Sequence, residues 1–105
     1  MASTAAQTTL SGKGTAGAGT TIDLTDAKSK VSFVLIPTGT ITAGTVALQA
    51  SQDNTNWVTL YVFDAKRSGN QFYSNINGAF RYWRGNVLTA VEGGTVTATL
   101  MEADR

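Results

Sequence analysis

From residue 20 onward the chain is a succession of short segments rich in β-branched and aromatic residues. Each is closed by turn-forming residues, and no stretch of helix length carries a helical period. Segments 31–36 (VSFVLI), 45–51 (TVALQAS), 57–63 (WVTLYVF), 80–87 (FRYWRGNV) and 95–101 (TVTATLM) read as strands, with 21–24 and 71–74 as shorter candidates. The breaks between them carry turn chemistry. Asp53-Asn54-Thr55-Asn56 and the residues from Lys66 to Asn70 suit hairpin connections, Asn77-Gly78 is a tight-turn signal, and Gly93-Gly94 precedes the last strand. Seven or eight short strands at this spacing predict an all-β fold: a single antiparallel β-sandwich, jelly-roll-like, in one domain over residues 1–105. The first 20 residues are small and glycine-punctuated. They predict a flexible N-terminal arm, with Gln7–Lys13 as a candidate edge strand. Pro37, the only proline, predicts the end of its strand or an edge position.

Side-chain alternation assigns faces. In 95–101, Val96, Ala98 and Leu100 point inward and the threonines outward. In 45–51, Val46, Leu48 and Ala50 oppose Gln49 and Ser51. The segment 57–63 behaves differently. Strict alternation sets Trp57, Thr59, Tyr61 and Phe63 against Val58, Leu60 and Val62, so neither face is polar. Such a strand is buried on both faces, or another subunit covers the second.

Composition removes several function classes. The chain has no His and no Cys, which excludes Ser-His-Asp and Cys-His catalysis, Cys- or His-ligated zinc and any disulfide framework. A net charge of +1 supplies no field to hold nucleic acid or an anionic membrane. The start of the chain has neither a basic nor an apolar signal region, so no secretion signal is expected, and no apolar run approaches a membrane span. Charged residues make up only 14%, so the polar surface is mainly hydroxyl and amide.

The remaining candidates for chemistry are weak. The acidic residues fall mainly in turns, which predicts solvated turn carboxylates and no enzyme. The oxygen-rich Asp53–Asn56 loop suits a hard cation, but Asx-turn hydrogen bonding explains it without one; no metal and no cofactor are expected. Gly12, Gly14 and Gly17 spell a dinucleotide-binding pattern, but no helix follows to give it meaning. The most unusual segment is Phe80-Arg81-Tyr82-Trp83-Arg84. Two readings stand: a core strand whose arginines reach solvent, or a protein interface, where Trp, Tyr and Arg are typical anchors. The interface candidates are Tyr61, Phe63, Arg81, Trp83 and Arg84.

Three blocks carry a resemblance: Ser51, Asp53, Asn56, Trp57, Val58 and Leu60; then Arg81, Tyr82, Arg84 and Asn86; then Gly93, Gly94, Val96 and Thr97. In this order the chain resembles small β-sandwich virion proteins of tailed bacteriophages, and departs from them at Trp83 and Gly85. The resemblance implies a non-enzymatic virion protein, in particular a capsid decoration or cement protein. Its partners would be the major capsid protein or other virion proteins. The expected state is a homodimer or homotrimer, made in the host cytoplasm and residing in the virion, with no nucleic acid and no membrane bound. The first two blocks also faintly resemble discoidin-type sugar-binding domains. That gives the alternative of a tail or baseplate module gripping host carbohydrate through the Asp53–Asn56 loop and the turn at 75–78.

Overall fold

The computed structural model describes residues 6–28, 30–67, 69–75 and 79–102. Among them are seven strands: β1 (Gln7–Lys13), β2 (Gly17–Ala18), β3 (Ile22–Lys28), β4 (Val31–Ser51), β5 (Trp57–Asp64), β6 (Gln71–Asn75) and β7 (Phe80–Glu102). All join one antiparallel sheet, and no helix occurs among the described residues, so the fold is all-β as expected. The expected turn at Asn77-Gly78 lies outside the described residues.

β4 and β7 form the spine. They pair from Val31 opposite Glu102 to Ser51 opposite Tyr82. Each of these strands unites two segments that the sequence presents as separate. A straight strand of 21 residues, the length of β4, would reach about 70 Å. The longest dimension of the whole molecule is 39 Å, so the ladder must bend. It bends where its register shifts, between Gly39 and Val46. Gly93, at φ 88°, sits in this bend, where a Cβ would run into the carbonyl oxygen of Thr40. Pro37 does not end its strand; it lies opposite Val96. β6 leaves β4 at Leu35 and β5 joins it at Thr45. The missing proline N–H therefore has a side with no ladder to interrupt.

The bend lays one half of the sheet over the other. Phe33, from the half of β4 that pairs with β6, stacks on Phe63 of β5 at 5.5 Å. A Cβ on Gly85 of β7 would come within 2.9 Å of Leu10 of β1 and 3.3 Å of Phe33, so only glycine lets the halves approach this closely. Trp83, Phe33, Phe63, Leu10, Leu35, Leu48 and Leu100 are fully buried between them. Val96, Ala98 and Leu100 face this core while the threonines between them stay partly open, as the alternation requires.

The candidate edge strand Gln7–Lys13 is β1, and beyond it residues 14–20, expected as part of a flexible arm, also lie against the sheet. β1 pairs with β7 at the edge of the sheet and β2 pairs with β7 further along. Buried Thr9 explains why this polar, glycine-rich segment is held: its hydroxyl donates to the Thr20 carbonyl at 2.7 Å and accepts the Gly85 N–H at 2.9 Å. Backbone bonds from Gly19 to Gly85 and from Val91 to Gly14 complete a strap across this side of the molecule. Residues 1–5 lie outside the described residues.

Candidate interaction surface

The opposite side has no such strap among the described residues. It consists of β5 and β6, which pair with β4 on one side only and leave their outer edges open. Tyr61 and Tyr73 stack between them at 5.0 Å, so the two edges form one wall. Six large hydrophobic side chains are exposed among the described residues. Four lie on these two strands, facing different ways: Val58 and Tyr61 on the inner side of β5, Val62 on its outer side, and Phe72, opposite Val34, on the outer side of β6, where it is 71% exposed. Asp64, at the end of β5, is the only charged residue in either strand. Open edges are usually protected by lysine, proline or inward charges, and these edges carry none of them.

Register shows which face each β5 residue takes. Phe63 lies opposite Val46, Val62 opposite Ala47 and Tyr61 opposite Leu48. Thr59, not Leu60, lies opposite Gln49. Leu60 is thus an extra residue, a bulge, and it packs against the core. The strict alternation expected for 57–63 is broken here. Trp57, Thr59 and Val62 share the outer face, while Val58, Leu60, Tyr61 and Phe63 share the inner one.

Around Gln49 the outer face of this half of the sheet carries a network of its own side chains. Gln49 is the hub. Its carbonyl oxygen accepts from Arg84 Nε at 2.9 Å and Asn86 Nδ2 at 3.2 Å, and its amide donates to Thr59 at 3.1 Å. The Arg84 guanidinium lies 4.0 Å from the Trp57 ring centroid, a cation–π contact, and desolvation there lowers its pKa.

The five interface candidates separate. Phe63 and Trp83 are core residues, 1% and 0% exposed, and are corrected accordingly. Trp83 donates Nε1–H to the Phe80 carbonyl at 2.9 Å and meets the Phe80 ring edge-on, so both its apolar body and its polar tip are satisfied internally. Arg81 makes a two-bond pair with Asp23, at 2.7 and 2.9 Å. That pair, with the Thr25 N–H, holds the Asp23 carboxyl below its usual range and raises the guanidinium. Arg84 belongs to the Trp57 stack. Only Tyr61 lies on the apolar wall. Val58, Val62 and Phe72 were not among the candidates; the apolar alternation of β5 was a signal for the first two, and the short β6 offered none for Phe72.

The Asp53–Asn56 loop is self-contained. One Asp53 oxygen accepts from the backbone N–H of Asn56 and of Thr55 and from the Ser51 hydroxyl, and the other accepts from the Asn56 amide. These donors, led by the Asn56 N–H, hold the carboxyl well below the usual range. Asn54 takes φ 63° at the tip of the turn. This is the Asx-turn chemistry anticipated from the sequence.

Geometry and topology define a class of fold: a seven-stranded antiparallel sheet doubled over one core, closed by a strap on one side and, among the described residues, open on the other. A solved structure of this kind is the SPBc2 prophage-derived protein YomS. It matches with a TM-score of 0.66 and 15% identity, over 94% of this chain and 91% of that one. The fold thus has a counterpart in a phage protein. No family model and no curated protein matches the sequence.

Proposed function

We propose that this protein is a structural component of a phage virion, a capsid decoration or cement protein that binds the head shell and stabilises it. The observation that carries the reading is the exposed apolar side chains of β5 and β6, strands whose only charge is Asp64. The fold shared with a prophage-derived protein supports it. The action is thermodynamic rather than catalytic. A protein that binds the assembled shell in preference to its separated parts shifts the balance toward assembly. Repetition over a symmetric lattice multiplies modest contacts. Phe72 is the anchor we assign to the shell. It lies opposite Val34, which lies opposite Thr99, so the residues in line with it across the sheet carry no charge.

The test is co-sedimentation with emptied, expanded heads of the phage that encodes the chain, together with calorimetry of those heads. Binding that raises the head's melting temperature, and that F72E weakens by tenfold or more, is expected. A head that neither retains the protein nor changes its melting temperature refutes the reading. The carbohydrate alternative has less support. The Asp53 carboxylate is occupied within its own loop, and Arg84 covers one face of Trp57.

A further inference from the structure

The wall described above has two parts, and β5 carries a feature that selects its occupant. An antiparallel strand pair places directly opposed side chains on the same face of the sheet. When a strand pairs with its own copy across a two-fold axis, residues equidistant from the axis are opposed. A regular strand allows many such registers. The bulge at Leu60 removes nearly all of them, because it reverses the alternation partway along β5.

With Trp57, Thr59 and Val62 on the outer face and Val58, Leu60, Tyr61 and Phe63 on the inner, an axis centred on Leu60 opposes Thr59 to Tyr61, a mismatch of faces. An axis on Tyr61 opposes Leu60 to Val62, again a mismatch. An axis between Thr59 and Leu60 opposes those two residues, and one between Tyr61 and Val62 opposes that pair; both fail. One register succeeds along the whole strand. With the axis between Leu60 and Tyr61, Trp57 meets Asp64, Val58 meets Phe63, Thr59 meets Val62, and Leu60 meets Tyr61. The bulge, which would disrupt pairing with a regular foreign strand, sits on the symmetry axis of this arrangement.

We propose that β5 pairs edge to edge with β5 of a second copy in this register, continuing the sheet from one molecule into the next. The pairing gives the unprotected edge its missing backbone partners. It also brings Val62 and Val58, 47% and 49% exposed, against the opposite strand. No charge must be desolvated at the centre, since the only charged residue of β5 is its last. A strand pair about 26 Å long buries an area at the low end for specific interfaces, below about 1,200 Å² in total, so the dimer forms with rising concentration. Of the homodimer and homotrimer expected from the sequence, this pairing selects the two-fold dimer; it rests on the proposed virion role only in leaving Phe72 on β6 free for the shell.

The experiment measures the mass of the intact protein in solution by light scattering, from about 1 µM to about 1 mM, the range that weak interfaces populate. The expected result is a rise from the mass of one 11.0 kDa chain toward twice that value and no further. V62K, on an exposed side chain, should keep the fold by circular dichroism and lose the rise. T59E/V62K should recover it, because the register opposes the two altered positions twice across the axis. A single-chain mass throughout overturns the proposal. So does a dimer indifferent to V62K, or a mass that grows beyond two chains. Failure of T59E/V62K to recover overturns the register. None of these results bears on whether Phe72 binds the head, which the co-sedimentation reads separately.

Discussion

Trp83→Ala distinguishes a core anchor from a docking residue. The side chain is fully buried, its ring meets Phe80 edge-on, and its indole N–H is bonded to the Phe80 carbonyl. Removing the indole opens a cavity beside Ala50 and Ile22, the residues opposite it in β4 and β3. Truncations of this kind cost about 3–5 kcal/mol. The lost edge-on contact and the orphaned carbonyl place Trp83 toward the upper part of that range. Against the roughly 5–15 kcal/mol that holds a domain together, this is a large share. At roughly 4–8 °C per kcal/mol for a small domain, the midpoint should fall by 15 °C or more. Differential scanning calorimetry, with urea unfolding followed by circular dichroism, measures it. Trp57→Ala is the internal control, since Trp57 is only half-buried and its main partner is Arg84; its effect should be several-fold smaller. A W83A protein that melts within 3 °C of the parent would refute the placement of Trp83 in the core and return it to the surface.

Gly85→Ala should cost about 1–3 kcal/mol through overpacking, because the new methyl meets Leu10 and Phe33 at 2.9 and 3.3 Å; chemical denaturation checks it. Lowering the pH should loosen the loop at Asp53. Its folded pKa lies below the unfolded value, so its stabilising contribution is present above roughly pH 4 and is lost as the pH falls through the folded pKa. A carbon-detected NMR titration should place the Asp53 midpoint below those of Asp residues in the unfolded chain, and Asp53→Asn should remove that component of the acid response. Arg81→Ala should leave the melting temperature near that of the parent despite its two-bond pair with Asp23, because the pair is at the surface, with 42% and 44% of the two side chains exposed.

The alternation of 95–101, the Asx turn after Ser51 and the strand character of nearly every segment follow from the residues in place. A period of two and a turn's hydrogen bonds are local properties, set within a few residues of chain. Everything that gives this protein a surface to offer is non-local. The bulge at Leu60 lies where β5 passes between Gln49 and Leu48 of β4, and it sets the faces that Tyr61 and Val62 occupy. Trp83 and Phe63 look like docking residues in the sequence and become core residues because the β4–β7 ladder bends back on itself. Phe72 is one aromatic among several until β6 is left at an open edge. Residue type sets what a segment prefers; which strand becomes its neighbour, and on which side no neighbour arrives, is decided only when the whole sheet closes.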